Sequence, residues 1–457
     1  MGLGGILSTA RTAIAANQAA VQVASHNIAN AETEGYSRQR AATEPLPEQR
    51  TPIGAIGTGI RVARLERMRD ALIDQEFRDQ SAPAAGDKAS AELLGRVESV
   101  FAEPSELGLA AVLDQFWNSW SDLAGTPSNA SAKTVVRQRA DALVRTLNGA
   151  ATQIADIRAS TVARISDTVA RVNALASQIA QINQQIVPAE AGRGPAGDLR
   201  DPRDRLIDEL SKYVPVRVAD RPDGANQVYI GTSSVVDGAT PQSLSIAPGS
   251  PLTFRLGTST ERFRVTGGSL GTMMDAVNTT IPGITAQLDA IAAGIVQDVN
   301  TLHTVGWSPT AGATGVAFFD TGAGNNTAAT IRLSAAVRAS ASAIATGPTP
   351  NAPGDNATAL AISTLRMSAP SATSGNYGAD YRDVISDLAS RKSSADAGAK
   401  VGDTLVAKAG ERRKSVSGVS VDEELVELIR YQQAYTAAAK IITTVDEMLD
   451  TLLSLKR

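Results

Sequence analysis

The chain has 457 residues, 43% of them hydrophobic and 20% charged, with 43 basic and 47 acidic side chains and a formal net charge of −4. That length makes about two to four domains, each able to bury a core, and the acidic balance argues against a nucleic-acid partner. There is no cysteine, which excludes disulfides and thiolate metal sites and leaves the redox compartment unread.

The first segment, Met1 to Ala31, carries Arg11 as its one formally charged side chain. Its start, MGLGGILSTARTAI, lacks a basic n-region, a long apolar core and a small-residue cleavage site, so it does not read as a Sec signal. No run of about 20 apolar residues is expected to span a bilayer. Leu3, Leu7, Ala10, Ile14, Asn17, Val21, Ala24, Ile28 and Ala31 advance by fours and threes, the a/d seam of a coiled coil. The remaining positions are mostly Ala, Ser, Thr, Asn and Gln, which suits a helix surrounded by other helices. Asn17 on the seam is expected to cost stability and fix register. The plainer alternative is an ordinary amphipathic core helix.

Next, Leu109, Leu113, Phe116, Trp120 and Leu123 form one apolar helix face within residues 89 to 123, and its tryptophans read as core. Ile154, Ile157, Ile165, Val169, Val172, Ile179, Ile182 and Ile186 keep a helical period for over thirty residues. Asp201 is expected to cap a helix whose first position is Pro202, with Asp204, Arg205, Asp208 and Glu209 on its surface. The period then changes. VPVRVAD, QVYIG, SSVVD, LSIA, LTFRL and ERFRV read as short strands of an antiparallel insert. A helical segment from Leu270 to Thr304, interrupted by Pro282 and Gly283, precedes a Gly- and Thr-rich stretch of loops and short strands. From Asn356 onward the chain is helical again. In the last segment Leu428, Tyr435, Ile442 and Leu449 recur every seven residues, as do Tyr431, Ala438, Val445 and Leu452 three places later. Asp422, Glu423 and Glu424 crowd the first turn of this second heptad helix, and Lys456 with Arg457 its end, as the macrodipole prefers. Two such helices at opposite ends of one chain can pair into a rod.

Candidate chemistry is sparse. GGSLG at 267 to 271 fits a G-x-S-x-G nucleophile pattern, but His303 would have to return to Ser269, with Asp275, Asp289 or Asp298 between them on one helical segment. A glycine-permitted turn is the favoured reading. The series Asp198, Asp201, Asp204 and Asp208 would suit a hard cation, yet Arg200, Arg203 and Arg205 interleave with it, so a salt-bridged surface is favoured. ERRK at 411 to 414 is too short for a nucleic-acid patch. No catalytic, cofactor or metal set is assigned, and neither Walker nor dinucleotide fingerprint is found.

The segment SHNIANAETEGYSRQR resembles the N-terminal signature of flagellar axial proteins, and Tyr36, Ser37, Arg38 and Gln39 point within them to the hook-associated protein 1 (FlgK) family. The tail SVSGVSVDEELVELIRYQQAYTAAAKIITTVDEMLDTLL is similar to that family's tail, with Gly418, Asp422, Glu423, Glu424, Gln433, Ala434 and Tyr435 in matching places. VESVFAEPSELGLAAVLDQFWNSWSDLAGTPSNASAK, LRDPRDRLIDELSKYVPVRV and GGSLGTMMDAV extend the likeness inward, over about two-thirds of the chain. Glu34 departs from it, since relatives often have Pro there, a rigid turn just after the helix.

The expected fold is mainly α with a β-rich insert. A terminal coiled-coil rod (1–35 with 418–457) joins a helical middle domain (36–213 with 271–304 and 353–417), and a small antiparallel β domain (214–270 with 305–352) is inserted in it. The resemblance implies a structural subunit, not an enzyme, that joins hook to filament in the bacterial flagellum. It further implies extracellular placement by type III export. The implied partners are copies of the chain in a ring, hook protein, the second junction protein (hook-associated protein 3), an export chaperone and the export apparatus, with no nucleic acid and no membrane insertion. Alternatives are another axial protein, such as hook or distal rod protein, or an extracellular enzyme or adhesin displayed on helical rods. The terminal helices bury too little apolar surface alone to offset about 1 to 2 kcal/mol of backbone entropy per residue, so they are expected to fold on assembly. The expected assembly residues are Leu7, Ile14, Asn17, Val21, Ile28, Leu428, Tyr431, Tyr435, Ile442, Val445, Leu449 and Leu452.

Overall fold

A computed structural model describes residues 3–51, 54–101, 103, 105, 108–192, 194–322, 324 and 326–454. In chain order it contains α1 (Leu3–Ala29), β1 (Gln39–Pro45), β2 (Gln49–Thr51), β3 (Gly54–Ile56), β4 (Ile60–Arg67), α2 (Ala71–Phe101), α3 (Leu109–Gly125), α4 (Ala130–Glu190) and α5 (Gly197–Tyr213). Strands β5 (Val216–Asp220), β6 (Asn226–Ile230), β7 (Ser233–Asp237), β8 (Thr240–Pro241), β9 (Leu244–Ala247) and β10 (Thr253–Leu256) follow. Then come α6 (Gly268–Asp275), α7 (Ile281–His303), α8 (Ala335–Ala339), α9 (Ala357–Thr364), α10 (Tyr377–Ser417) and α11 (Val421–Ser454). Lys456 and Arg457, expected at the end of the last helix, lie outside the described residues.

Helix α4 runs for 61 residues and belongs to two cores. It starts at Asn129, whose side chain accepts from the backbone N–H groups of Ser131 and Ala132 at 2.9 and 3.3 Å and so satisfies two of the first turn's orphan donors. Its first half, from Val136 to Ile157, packs into a helical core with α2, α3, α7, α9 and α10. All five residues of the α3 stripe are buried there, and Trp117 and Trp120 are core, as their spacing predicts. The second half, from Ile165 to Ala180, packs against α5, α6 and the strands.

The strands form an antiparallel sheet in the order β5-β6-β7-β8 and a separate ribbon of β9 with β10. Five of the six expected strands are present. ERFRV contributes a single bridge between Phe263 and Phe254 instead. The Gly- and Thr-rich stretch also differs from expectation. Residues 305 to 352 send Phe318, Phe319, Ile331, Leu333, Val337 and Ile344 into the helical core rather than joining the sheet, and their pairing is limited to isolated bridges. An irregular backbone with well-spaced large apolar side chains fills a core without repeating a strand period.

Pro282 does not interrupt its helix. A π-helical turn at Ala276–Thr280 joins α6 to α7, and the Ile281 N–H reaches back five residues to the Ala276 carbonyl. Widening the turn is one way a helix accommodates a residue that has no N–H and crowds the preceding carbonyls. The resulting run, Gly268–His303, is long and apolar enough by composition to cross a membrane, contrary to the sequence expectation. Its apolar side chains are used in the two cores, with Leu270 and Met274 against the sheet and Leu288, Ile295 and Val299 in the helical core.

Residues 39 to 67 were expected in the helical domain and form a ribbon instead. β1 and β4 pair antiparallel from Gln39 opposite Arg67 to Pro45 opposite Ile60, and the ribbon packs along α1. Gly59 meets the helix closely, since a Cβ there would overlap the Thr12 hydroxyl and crowd Thr9. An isolated two-stranded ribbon is marginal in water, and α1 provides the surface that supports it.

Candidate functional site: the terminal rod and its joint

The two terminal helices pack together, and they run antiparallel. Asn27, near the end of α1, donates to the Glu424 carboxylate in the first turn of α11 at 2.9 Å. With equal rise in both helices, the 24 residues from Asn27 back to Leu3 place Leu3 opposite about residue 448, whereas α11 continues to Ser454. On α11, Ala438 and Val445 are buried and Leu428, Tyr431 and Ile442 half-buried, the face the heptads predict. Tyr435 is exposed, as are Leu449 and Leu452; the last two lie at or beyond the level of Leu3.

On α1 the buried residues are Asn27 and Ala10, Ala16, Ala20 and Ala24, while Leu7, Ile14, Asn17, Val21 and Ile28 are half-buried. Ala10 and Ala24 lie on the predicted seam while Ala16 and Ala20 lie off it, because α1 has two neighbours, α11 and the ribbon. Asn17 does not fix register across the pair. Its amide donates to the Ala13 carbonyl of its own helix at 2.8 Å.

Among the described residues, the buried polar side chain of α1 is Asn27 and that of α11 is Glu424. Every valence of the Asn27 amide is used. Its Nδ2 donates to the Gln39 carbonyl (2.8 Å) and to Glu424, and its Oδ1 accepts from the Tyr36 hydroxyl (2.7 Å) and the Gln39 N–H (3.0 Å). Burial, reinforced by the charges of Asp198, Asp201 and Glu424, raises the Tyr36 pKa and keeps its hydroxyl a donor. Arg38 pairs through Nε with Glu424 at 2.7 Å and through Nη1 with Glu423 at 3.1 Å. Its backbone N–H donates to Ser417, the last residue of α10, and its carbonyl accepts from Met68. The stretch from Tyr36 to Gln39 therefore ties together the end of α1, the ribbon, the α10–α11 junction and, through Ser37, α5. The turn before it closes without proline at position 34, with Gly35 at φ +80°.

The Ser37 N–H and hydroxyl donate to Asp201 at 2.9 and 2.8 Å. Asp201 is thus inside α5, which starts a turn before Pro202, and it does not cap the helix. The aspartate series is ion-paired, but only Asp198 in it is exposed, whereas Asp201, Arg203 and Asp204 are buried. Arg67 pairs with Asp201 and, at 2.8 Å, with Asp204, while Arg69 meets Asp204 at 3.3 Å and Asp74 at 2.6 Å. Arg78 and Arg413 both hold Asp208. Burial alone would raise Asp204, but Arg69, Arg67, Arg203 and Arg78 outweigh it and hold its pKa at about 2. The network locks ribbon, α2, α5 and α10 at the base of the rod.

The remaining candidates lie apart from it. Ser269 sits at a turn where Gly268 has φ +67° and a Cβ would overlap the Tyr213 carbonyl. His303 is buried in the other core against Trp120 and Phe318. Its Nδ1 lies 2.7 Å from the Val316 carbonyl and its Nε2 accepts from Ala345 N–H at 3.0 Å. Asp275 pairs with Arg264, Asp289 accepts from Ala328, and Asp298 from Ser371 and Tyr377. Sequence reasoning missed Asn27, Arg67, Arg69, Arg78 and Arg413. The SHNIAN and GYSRQ motifs were the available signal for Asn27, while the arginines have no local pattern that marks them.

The profile of the flagellar hook-associated protein FlgK helical domain matches residues 94–319. Profiles of the flagellar basal body rod FlgEFG protein C-terminal region and of the flagella basal body rod protein match 415–455 and 7–36, the two helices of the rod. Flagellar hook-associated protein 1 of Bacillus subtilis is 30% identical over 98% of this chain and 97% of its own length. The proteins of that name from Salmonella typhimurium and Escherichia coli are 24% and 22% identical, each over 99% of this chain and 100% of their own. The flagellar hook junction protein FlgK from Burkholderia pseudomallei shares the fold, with a TM-score of 0.67 at 16% identity over 75% of this chain and 100% of that one. On a relationship that runs nearly end to end in both sequences, the chain belongs to the hook-associated protein 1 (FlgK) family, the junction proteins between flagellar hook and filament.

Proposed function

We propose that the chain is a ring-forming structural subunit of the extracellular flagellum whose rod of α1 and α11 packs against neighbouring copies, hook protein and the second junction protein. The observation that carries this reading is the exterior of α11. Its seam is already occupied by α1, yet Val421, Leu425 and Ile429 on one side, and Ile441 and Met448 on the other, stand exposed. A lone helix pair in water carries charge on those flanks, and continuous apolar flanks call for further helices. Only Glu424, Ala438 and Val445 of the 34 residues of α11 are buried. That burial offsets little of the ordering entropy, so the rod orders fully when the subunit docks, which also suits type III export as an extended chain with a chaperone. The test places Leu425→Asp and Ile441→Asp in an epitope-tagged chain and measures the tag in isolated hook structures. Each substitution should deplete the tag by about tenfold or more without changing the unfolding of the body. Undiminished incorporation of both would overturn the reading.

A further inference from the structure

We propose that Asn27 and Glu424 fix the register of α1 on α11, and that the loop of residues 36 to 39, which holds Asn27 and bonds to the end of α10, directs the helix to α11 of its own chain rather than that of a neighbouring copy. This inference rests on the assembly reading above, because in an array of such rods one α1 has several α11 helices within reach.

The rest of the interface discriminates poorly. The buried side chains of α1 are alanines apart from Asn27, and α11 buries Ala438 and Val445 against it. A slip of one heptad, about 10 Å along the axis, would lay small apolar residues against small apolar residues again. Neither face of contact is protected by the exposed flanks, since Leu425, Ile429, Ile441 and Met448 offer α1 other apolar surfaces on the same helix. Polar groups are what a slip cannot satisfy. In the observed register Asn27 donates to Glu424 at 2.9 Å, and Arg38 holds the other carboxylate oxygen at 2.7 Å. Displaced by a heptad, on its own α11 or a neighbour's, Asn27 loses a donor's partner and Glu424 is buried against apolar side chains, each a desolvation penalty without compensation; a neighbour's α11 in register carries the same Glu424, so the choice of chain falls to the loop that holds Asn27. One buried polar contact at a single seam position is the best-attested device for fixing register and partner in paired helices.

The preference is also directed to the same chain. Three of the four hydrogen bonds of the Asn27 amide go to residues 36 to 39, twelve residues or fewer away. Arg38 in that loop bonds by its backbone to Ser417, four residues before α11 starts. The loop that organises Asn27 therefore presents it to the α11 whose start is held in place by its own α10.

The test is allele-specific pairing in cis and in trans. An epitope-tagged Asn27→Asp chain sets two carboxylates face to face and should enter isolated hook structures about tenfold less than the tagged wild type. Adding Glu424→Gln to the same chain lets the introduced amide donate to the introduced carboxylate and should raise the tag about threefold or more above the Asn27→Asp chain, short of wild type because the donor to the Gln39 carbonyl is still missing. Supplying Glu424→Gln on a separate untagged chain should leave the tagged Asn27→Asp chain excluded. Recovery in trans would show that α1 accepts a neighbour's α11, and absence of recovery in cis would show that the two residues are not coupled; either result overturns the proposal. Failure of the tagged wild-type chain to enter hook structures would instead refute the assembly reading.

Discussion

Protonation of His303 should destabilise the helical core in a defined pH window. The side chain is fully buried, and burial, with Lys133 nearby opposing a second positive charge, lowers its pKa from 6.5 to about 4 despite the hydrogen bond to Val316. In the unfolded chain the imidazole takes its proton near pH 6.5, whereas in the folded chain it resists until about pH 4. Stability is therefore complete above pH 6.5 and is lost as pH falls through that interval. At ~1.4 kcal/mol per pKa unit, the loss is about 2 kcal/mol at pH 5 and about 3 kcal/mol at pH 4. Buried Asp204, with its pKa at about 2, loses its contribution only below the 3.8 of an unperturbed aspartate, so the two groups separate on the pH axis. Trp117 and Trp120 lie in the core that holds His303, and their fluorescence during urea unfolding at pH 7, 6 and 5 reads the effect directly. His303→Leu should be less stable at pH 7, because it strands the Val316 carbonyl and the Ala345 N–H, and should lose most of this pH dependence. Equal slopes for both proteins between pH 7 and 5 would refute the reasoning.

Removing one partner of the joint network is expected to be costly. Asp204→Ala leaves Arg67 and Arg69 buried without one carboxylate, a loss of about 3 to 5 kcal/mol, seen as a lower urea midpoint and as new proteolytic cleavage near residues 36 to 39 or 418 to 420. On the rod, Ile14→Asp and Ile442→Asp should each abolish incorporation while near-ultraviolet dichroism of the body is retained; normal incorporation would count against pairing as the basis of assembly. Hydrogen exchange of the free subunit should show weak protection over 3–29 and 421–454 and strong protection over α4, whereas equal protection throughout would remove the case for ordering on assembly.

How far these features are legible in the sequence depends on the range of the interaction. The stripe of α3 and the period of α4 are local, and the structure follows them residue by residue. The heptads of α11 predict its buried face, because one neighbour, α1, lies along it. The same rule finds Ala10 and Ala24 on α1 but misses Ala16 and Ala20, where the ribbon of residues 39 to 67 adds a second neighbour that no heptad encodes. Asn17 and Asn27 show the limit. Both are asparagines on one uncharged helix, and periodicity favours the first, but only the second meets a loop from nine to twelve residues on and a glutamate 397 residues away. The aspartates of α5 read as a surface lattice for the same reason, since their arginines come from the ribbon, α2 and α10.

The most direct test of the account is electron microscopy of cells from which this gene has been deleted, with an assay of filament protein in the medium. The account predicts hooks of normal length that bear no filament, with filament subunits lost to the medium. Cells that keep intact filaments would contradict it.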